Sequence, residues 1–257
     1  MRGRGVYHQP PKPLVSHIRK LGGDRAYRRE QGLFLVEGVK LLEECLRWGG
    51  EIDTLVCAQG VSPPVEATAH RAVAVPPDLL KSISAVDTPQ GILALCKLPA
   101  LNPPDKLTGA RYLVLDGVQD PGNVGTVWRT ADAFGCDGLF LLNGCADPWS
   151  PKTVRATMGA CFRLPLWESD LATLTGLLDG AGIPLRATAL RHDTADVRSL
   201  RWDRAAAVVG SEGRGVSQEV LEACSETVKI PMEERCESLN AAVAAGVVLW
   251  EMARERE

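Results

Sequence analysis

The chain has 257 residues, 45% of them hydrophobic and 24% charged. That is enough apolar side chain to bury a sizeable core in one large domain or two. No apolar run approaches the ~20 residues that span a bilayer, and the basic start MRGRGVYHQPPKP leads into no apolar stretch of the secretory kind, so a cytoplasmic protein with no membrane partner is expected. The net charge of −3 by itself argues against a nucleic-acid partner, but the charge is unevenly spread. Residues 1–29 hold eight Lys/Arg (Arg2, Arg4, Lys12, Arg19, Lys20, Arg25, Arg28, Arg29) against Asp24 alone, which leaves +7 at the front and −10 over the remainder. Such a block can neutralise phosphates while the body stays acidic, or it can be a solvated tail.

From there the first hundred residues alternate. LFLVEG reads as a strand, and VKLLEECLRWGG as a helix with Val39, Leu42, Cys45 and Leu46 on one face and glycine at its stop. IDTLVCA and AVAV are strands, PPDLLKSIS a short helix opened by proline, and GILALCKL a fourth strand. These predict a small α/β domain over residues 1–100. PALNPPDKLTG, rich in proline and polar residues, predicts a linker at 101–109. The eight cysteines include no C-x-x-C pair and have only four histidines as companions. They read as small buried hydrophobes, and no structural metal is expected.

The alternation restarts over 110–257. YLVLDG is a strand, Asn123 to Phe134 a helix, GLFLLNG a strand and SPKTVRATMG a short helix. DLATLTGLLDGAG is a helix closed by glycine, followed by the strand IPLRATAL. AAAVVGSEG is a strand entering a glycine turn, VSQEVLEAC a helix, TVKIP a strand and SLNAAVAAGVVLWEMARE the closing helix. The expected fold class is therefore α/β, a mostly parallel sheet with helices on both faces. Ligands of such sheets bind outside the carboxyl ends of the strands, where three turns fall: 116–123, 210–217 and 230–240.

In the first turn, DGVQDPGNVG, Asn123 is placed to cap the helix that follows. Val124, Val127, Trp128, Ala131 and Phe134 form the inward stripe, and Thr126, Arg129, Thr130 and Ala133 the other. Gly117, Gly122 and Gly125 do not match G-x-G-x-x-G, and a Walker lysine is lacking, so a dinucleotide site is poorly supported. The second turn, VVGSEGRGVS, packs three glycines around Ser211, Glu212 and Arg214, which lets a flat ligand approach backbone amides. The third, IPMEERCESLN, ends in Ser238-Leu239-Asn240, with Ser238 a candidate cap for a closing helix that is apolar nearly all round.

In order and spacing, DGVQDPGNVGTVWRTADAFG, VVGSEGRGVS and IPMEERCESLNAAVAAGVVLWE resemble the three motifs of the SpoU (TrmH-like) RNA ribose 2′-O-methyltransferases of the SPOUT class. The resemblance covers roughly residues 111–253, and the first hundred residues resemble the small substrate-binding domain that precedes the catalytic domain in many members. It implies a carboxyl-terminal trefoil knot, one of the few exceptions to the rule against threaded chains. It further implies S-adenosylmethionine as cofactor, held by Gly210, Ser211, Gly213, Ile230, Met232 and Leu239. The partner is RNA, with ribosomal RNA favoured over transfer RNA, and no metal is implied. Arg129 matches the family's essential arginine, Asn123 and Glu212 its conserved asparagine and glutamate, and Ser238 and Asn240 positions near the methyl group.

Methyl transfer to a ribose hydroxyl needs alignment and loss of the hydroxyl proton. Arg129 would hold the neighbouring phosphate while a phosphate oxygen or water takes that proton, or would itself serve as base after activation. Glu212 would fix Arg129 or Asn123. A non-catalytic RNA-binding relative would be expected to have lost Arg129 or the Ser238/Asn240 pair, and this chain keeps all three. The apolar closing helix, together with the resemblance, predicts a homodimer.

Overall fold

The structure is a computed structural model that describes residues 12–64, 69–189, 194–233, 235–236 and 238–254. Arg2 and Arg4 of the basic front, and Glu234 and Glu237 of the third turn, lie outside the described residues. The chain divides into two compact units, Met1–Pro99 with Asp147–Phe162, and Ala100–Ala146 with Arg163–Glu257.

The first unit opens with two helices that charge alone did not announce, α1 (Lys12–Gly23) and α2 (Arg25–Gln31). Leu14, Ile18 and Leu21 recur at helical spacing along α1 and are buried. Asp24 caps α2 by accepting the Tyr27 N–H at 3.0 Å, and Gly32 ends it in the left-handed region at φ 62°. There follow β1 (Leu33–Glu37), α3 (Val39–Arg47), β2 (Ile52–Ala58), β3 (Arg71–Val75), α4 (Pro77–Ile83) and β4 (Ile92–Lys97). The strands form one sheet in the order β1-β4-β2-β3, with only β2 and β3 parallel. The buried residues of α1 pack with Leu35, Val56, Val73 and Leu93 of the four strands.

A short helix at Pro151–Thr157, expected to belong with the later strands, groups instead with this unit. Phe34 of β1 stacks against Trp149 at 4.7 Å between ring centroids and lies 6.0 Å from Phe162. Arg28 is the strongest tie. It is only 4% exposed, donates to the Leu21 carbonyl and forms an ion pair with Asp147. The reading of Arg28 as part of a phosphate-neutralising front is therefore corrected: its guanidinium is spent inside the unit.

The second unit runs β5 (Arg111–Asp116), α5 (Pro121–Ala133), β6 (Gly138–Leu141), then the Pro151–Thr157 helix, α6, which groups with the first unit. After it come β7 (Leu166–Glu168), α7 (Leu171–Ala181), β8 (Leu185–Thr188), β9 (Ala195–Asp196), β10 (Ala205–Gly210), α8 (Gln218–Ala223), β11 (Glu226–Lys229) and α9 (Ala241–Arg254). Its seven strands order as β7-β6-β5-β10-β8-β11-β9, all pairings parallel. Central β10, AAAVVG, is buried at every position, as a strand covered on both faces must be. Tyr112, Val114, Ala206 and Val208 share a core with Leu174 and Leu178 of α7 and Val220 of α8. Alternation sends Leu113 and Leu115 to the other face, where α5 and α9 pack on each other.

Replacing Arg28 with alanine would leave the Asp147 carboxylate, 13% exposed, without its partner. The expected cost is about 3 kcal/mol, the lower end for breaking a buried pair. Urea denaturation of the variant would measure it, and an unchanged midpoint would refute the structural role.

Candidate active site

All three turns lie at carboxyl ends of strands of this sheet, those of β5 and β10 side by side and that of β11 one strand further on, beyond β8. β5 and β10 pair in register, so Asp116 stands opposite Gly210 and the first two turns leave the sheet side by side. In the first turn Gly117 adopts φ +68°, and Asp120, not Asn123, caps α5 by accepting the Asn123 N–H at 2.9 Å. The helix begins three residues before Val124, the first of its apolar stripe, because Pro121 is already fitted to the first helical position, where no N–H is needed. That frees the Asn123 side chain for the site.

The second turn is a closed loop. Ser211 N–H donates to Gly215 O at 3.0 Å and Gly215 N–H returns to Ser211 O at 2.9 Å, so Glu212, Gly213 and Arg214 project as an exposed tip. In the third turn Asn240, not Ser238, caps α9: its Oδ1 accepts the Ala242 and Val243 N–H groups at 2.9 and 3.3 Å. The same side chain reaches outward. Asn240 Nδ2 donates to Asn123 Oδ1 at 3.3 Å, and Asn123 Nδ2 donates to Glu212 Oε1 at 2.6 Å. One residue from each turn is thereby joined in a single chain of hydrogen bonds. Of the two roles expected for Glu212, the structure shows the bond to Asn123.

Arg129 stands apart. It lies six residues beyond Asn123, about 9 Å along the helix at 1.5 Å per residue. It is exposed, and among the described residues no hydrogen bond or ion pair involves its side chain.

Gly210, Ser211, Gly213, Ile230, Met232 and Leu239 line one cavity of about 560 Å³, together with Glu212 and Ser238. Asn123, Asn240 and Arg129 are not among its lining residues. Thr188 and Ala189, at the end of β8, are, and sequence reasoning missed them. IPLRATAL was legible as a strand, but only the order β10-β8-β11 places its end between the second and third turns. Thr188 Oγ1 donates to the Val208 carbonyl at 3.0 Å, which ties that rim to β10. Beneath the second turn, burial and, after it, the negative charge of Asp116 push the Cys224 thiol up to about 12. Cys224 is therefore a neutral neighbour of the site.

The cavity suits S-adenosylmethionine in size and donor set. Its volume lies in the ordinary ligand range of roughly 300–1,000 Å³. Its wall combines backbone from a glycine loop with apolar Val209, Leu221, Ile230 and Met232, as a flat base and a short aliphatic chain require, and it carries the Glu212 carboxylate.

The seven-stranded parallel sheet and its loop-lined cavity define an α/β enzyme-like domain, and comparison with known proteins agrees. Residues 110–250 match the SpoU rRNA Methylase family and residues 12–94 the MRM3-like substrate binding domain. The chain is 33% identical over 227 residues to the 23S rRNA (guanosine(2553)-2′-O)-methyltransferase RlmP of Bacillus subtilis, covering 88% of this chain and 90% of that protein. Its fold matches a crystal structure of AdoMet-bound rRNA methyltransferase from Sinorhizobium meliloti with TM-score 0.85 at 29% identity, covering 98% of each chain. It matches the SpoU methyltransferase AviRb from Streptomyces viridochromogenes with TM-score 0.85 at 29% identity, covering 95% of this chain and 98% of that one. The chain belongs to the SpoU rRNA methylase family.

Gly210 offers a direct test of the loop. A Cβ there would lie 2.1 Å from Gly215 C and Val216 N, so even alanine collides with the loop's own backbone. Gly210→Ala should lose S-adenosylmethionine binding because the loop cannot close, at an overpacking cost of about 1–3 kcal/mol. Isothermal calorimetry beside a thermal melt would check both, and undiminished affinity would remove the loop from the cofactor site.

Proposed function

We propose that the protein is an S-adenosylmethionine-dependent RNA ribose 2′-O-methyltransferase acting on ribosomal RNA. The observation that carries this reading is the hydrogen-bonded chain Asn240–Asn123–Glu212 beside a cavity of about 560 Å³. The relatives named as rRNA 2′-O-methyltransferases favour ribosomal over transfer RNA as substrate. The protein is read as cytosolic; among the described residues no helix is long and apolar enough to cross a membrane.

Bound S-adenosylmethionine supplies a methyl group activated on a sulfonium, so that displacement by oxygen releases a neutral thioether. The residues of the chain do the aligning. Backbone groups at Gly210, Ser211, Gly213, Ile230, Met232 and Leu239 hold the donor, and Ser238 stands on the cavity wall. Glu212, with Oε1 engaged by Asn123, acts as an anchor that sets the asparagine amide toward the ribose. Arg129 carries a planar guanidinium with five N–H donors and no acceptor, so it is unsuited to be a simple base. It holds the phosphate beside the target ribose and stabilises the developing alkoxide, while a phosphate oxygen or water takes the proton.

The first unit supplies RNA affinity. Lys12, Arg19 and Lys20 of α1 are exposed and border a groove of about 800 Å³ floored by Val15, Pro76 and Leu79. Three cations over apolar carbon suit a phosphate chain with its sugars, and none of the lining residues is acidic. The trefoil knot is part of the same reading: after β11 the chain returns as α9 to pack on α5 and β10, near the middle of the sheet. So is the homodimer. Val243 and Trp250 of α9 are 53% and 58% exposed, and Leu239 just before it 36%. These apolar side chains in one region suit a second copy of the chain, with RNA entering beside the junction.

Four outcomes are expected. Arg129→Ala should bind S-adenosylmethionine as the parent does while single-turnover methylation of RNA falls by at least ~100-fold, the scale for losing one transition-state charge partner. Arg129→Lys should recover little of it, and full activity of the alanine variant would refute the role. Replacing Lys12, Arg19 and Lys20 together by glutamine should lower the slope of log Kobs against log salt for RNA by about 2, at roughly 0.7 per phosphate contact, with cofactor affinity unchanged. Trp250→Glu should turn a dimer into a monomer in sedimentation; a parent already monomeric at assay concentration would refute the dimer. Ribose-methylation mapping of RNA from a strain lacking the protein identifies the substrate: a lost mark in ribosomal RNA supports the reading, and one in transfer RNA only overturns it.

A further inference from the structure

Asp116 takes no part in the chemistry above and does not line the cavity, yet it is a carboxylate only 8% exposed at the very end of β5. Its Oδ2 accepts the Ser217 N–H at 2.7 Å, a bond that spans 101 residues of sequence. Ser217 precedes α8, and its own side chain makes no capping bond. The fastening at the exit of the second turn therefore comes from β5.

The entrance of that turn lies beside the same residue, since Gly210 stands opposite Asp116 in the parallel ladder. Between these two points the Ser211–Gly215 bridge closes the loop and leaves Glu212, Gly213 and Arg214 as its tip. The Asp116 side chain thus fastens the exit of the loop to the strand from which the first turn departs, and strand pairing sets the entrance beside it.

We propose that Asp116 is a positioning residue for the methyl donor, clamping the loop of residues 210–217 through Ser217 so that its backbone keeps the geometry the cofactor requires. The role rests on the reading of that loop as part of the S-adenosylmethionine site. Asp116 touches neither donor nor RNA; it acts through the loop.

The test measures S-adenosylmethionine affinity by calorimetry on the full chain, with thermal melts to confirm folding. Asp116→Ala should weaken the donor at least ~10-fold, the scale of a buried bond lost with its partner left unpaired. Methylation at saturating donor and the KM for RNA should stay within about 3-fold of the parent, because alignment of Asn123 and Glu212 is restored once the loop is filled. Asp116→Asn should bind nearly as the parent does, since an amide oxygen accepts the same N–H. Ser217→Pro removes that N–H at a residue whose φ of −64° already suits proline. It should weaken the donor as Asp116→Ala does, and the double variant should be no worse than the weaker single, as for two halves of one bond.

A parent that binds no S-adenosylmethionine would overturn the cofactor reading itself. A parent that binds, with Asp116→Ala equally tight or with losses that add in the double variant, would overturn the positioning role alone. Should Asp116→Ala fail to fold, the comparison of Asp116→Asn with Ser217→Pro decides: near-parent binding by the first and weak binding by the second is expected, and equal binding overturns the role.

Discussion

The second unit is organised by the parallel pairing of β5 with β10 over Arg111–Asp116 and Ala205–Gly210. Two segments almost a hundred residues apart run side by side and end level, so the turns that follow emerge next to each other. The crevice outside the carboxyl ends of such strands is where open parallel sheets accept ligands. The small side chains of β10, three alanines and two valines before Gly210, let helices approach both faces closely. Nothing at the site could meet without that register: a slip of one residue would send every side chain of the strand to the opposite face.

The polar groups at the strand ends fall into two sets. Asn123, Glu212 and Asn240 are linked by hydrogen bonds of 2.6 and 3.3 Å and are held before any ligand arrives. Such preorganisation lowers the reorganisation needed at the moment of reaction. Arg129 is exposed on α5, outside this chain of bonds. On the proposed reading this division is functional: the linked amides set the ribose beside the donor cavity, while the exposed guanidinium holds the RNA phosphate.

The first unit shows how similar residues diverge in role. Arg28 and Lys20 stand eight positions apart in one basic stretch. Arg28 is buried against Asp147 and the Leu21 carbonyl, whereas Lys20 remains exposed over the Tyr27 ring, 5.2 Å from its centroid. Charge counting assigns both to the surface. Guanidinium, more weakly hydrated and able to donate to several acceptors at once, tolerates the interior where an ammonium does not.

Local periodicity and turn chemistry made much of this legible in advance. The inward stripe of α5 is buried at Val124, Val127, Trp128 and Ala131 and half-buried at Phe134, and Gly182 closes α7 in the left-handed conformation. Motif order in the sequence sufficed to name the family and to select eight of the residues that line the cavity, but not Thr188 or Ala189. α1 carries a signal of comparable strength, Leu14, Ile18 and Leu21 at the same period, to which a count of its charges is blind. Other features had no local signal. Which of Asp120 and Asn123, or of Ser238 and Asn240, becomes a cap depends on where the backbone enters the helix. The grouping of Asp147–Phe162 with the first unit, the ion pair of Arg28 and the place of the β8 end between two turns depend on partners more than twenty residues distant. Sequence by itself determined the segments with a period of their own and the chemistry of their ends. Tertiary structure alone decided which ends meet, because strand order and long-range pairing are settled by burial across the whole sheet.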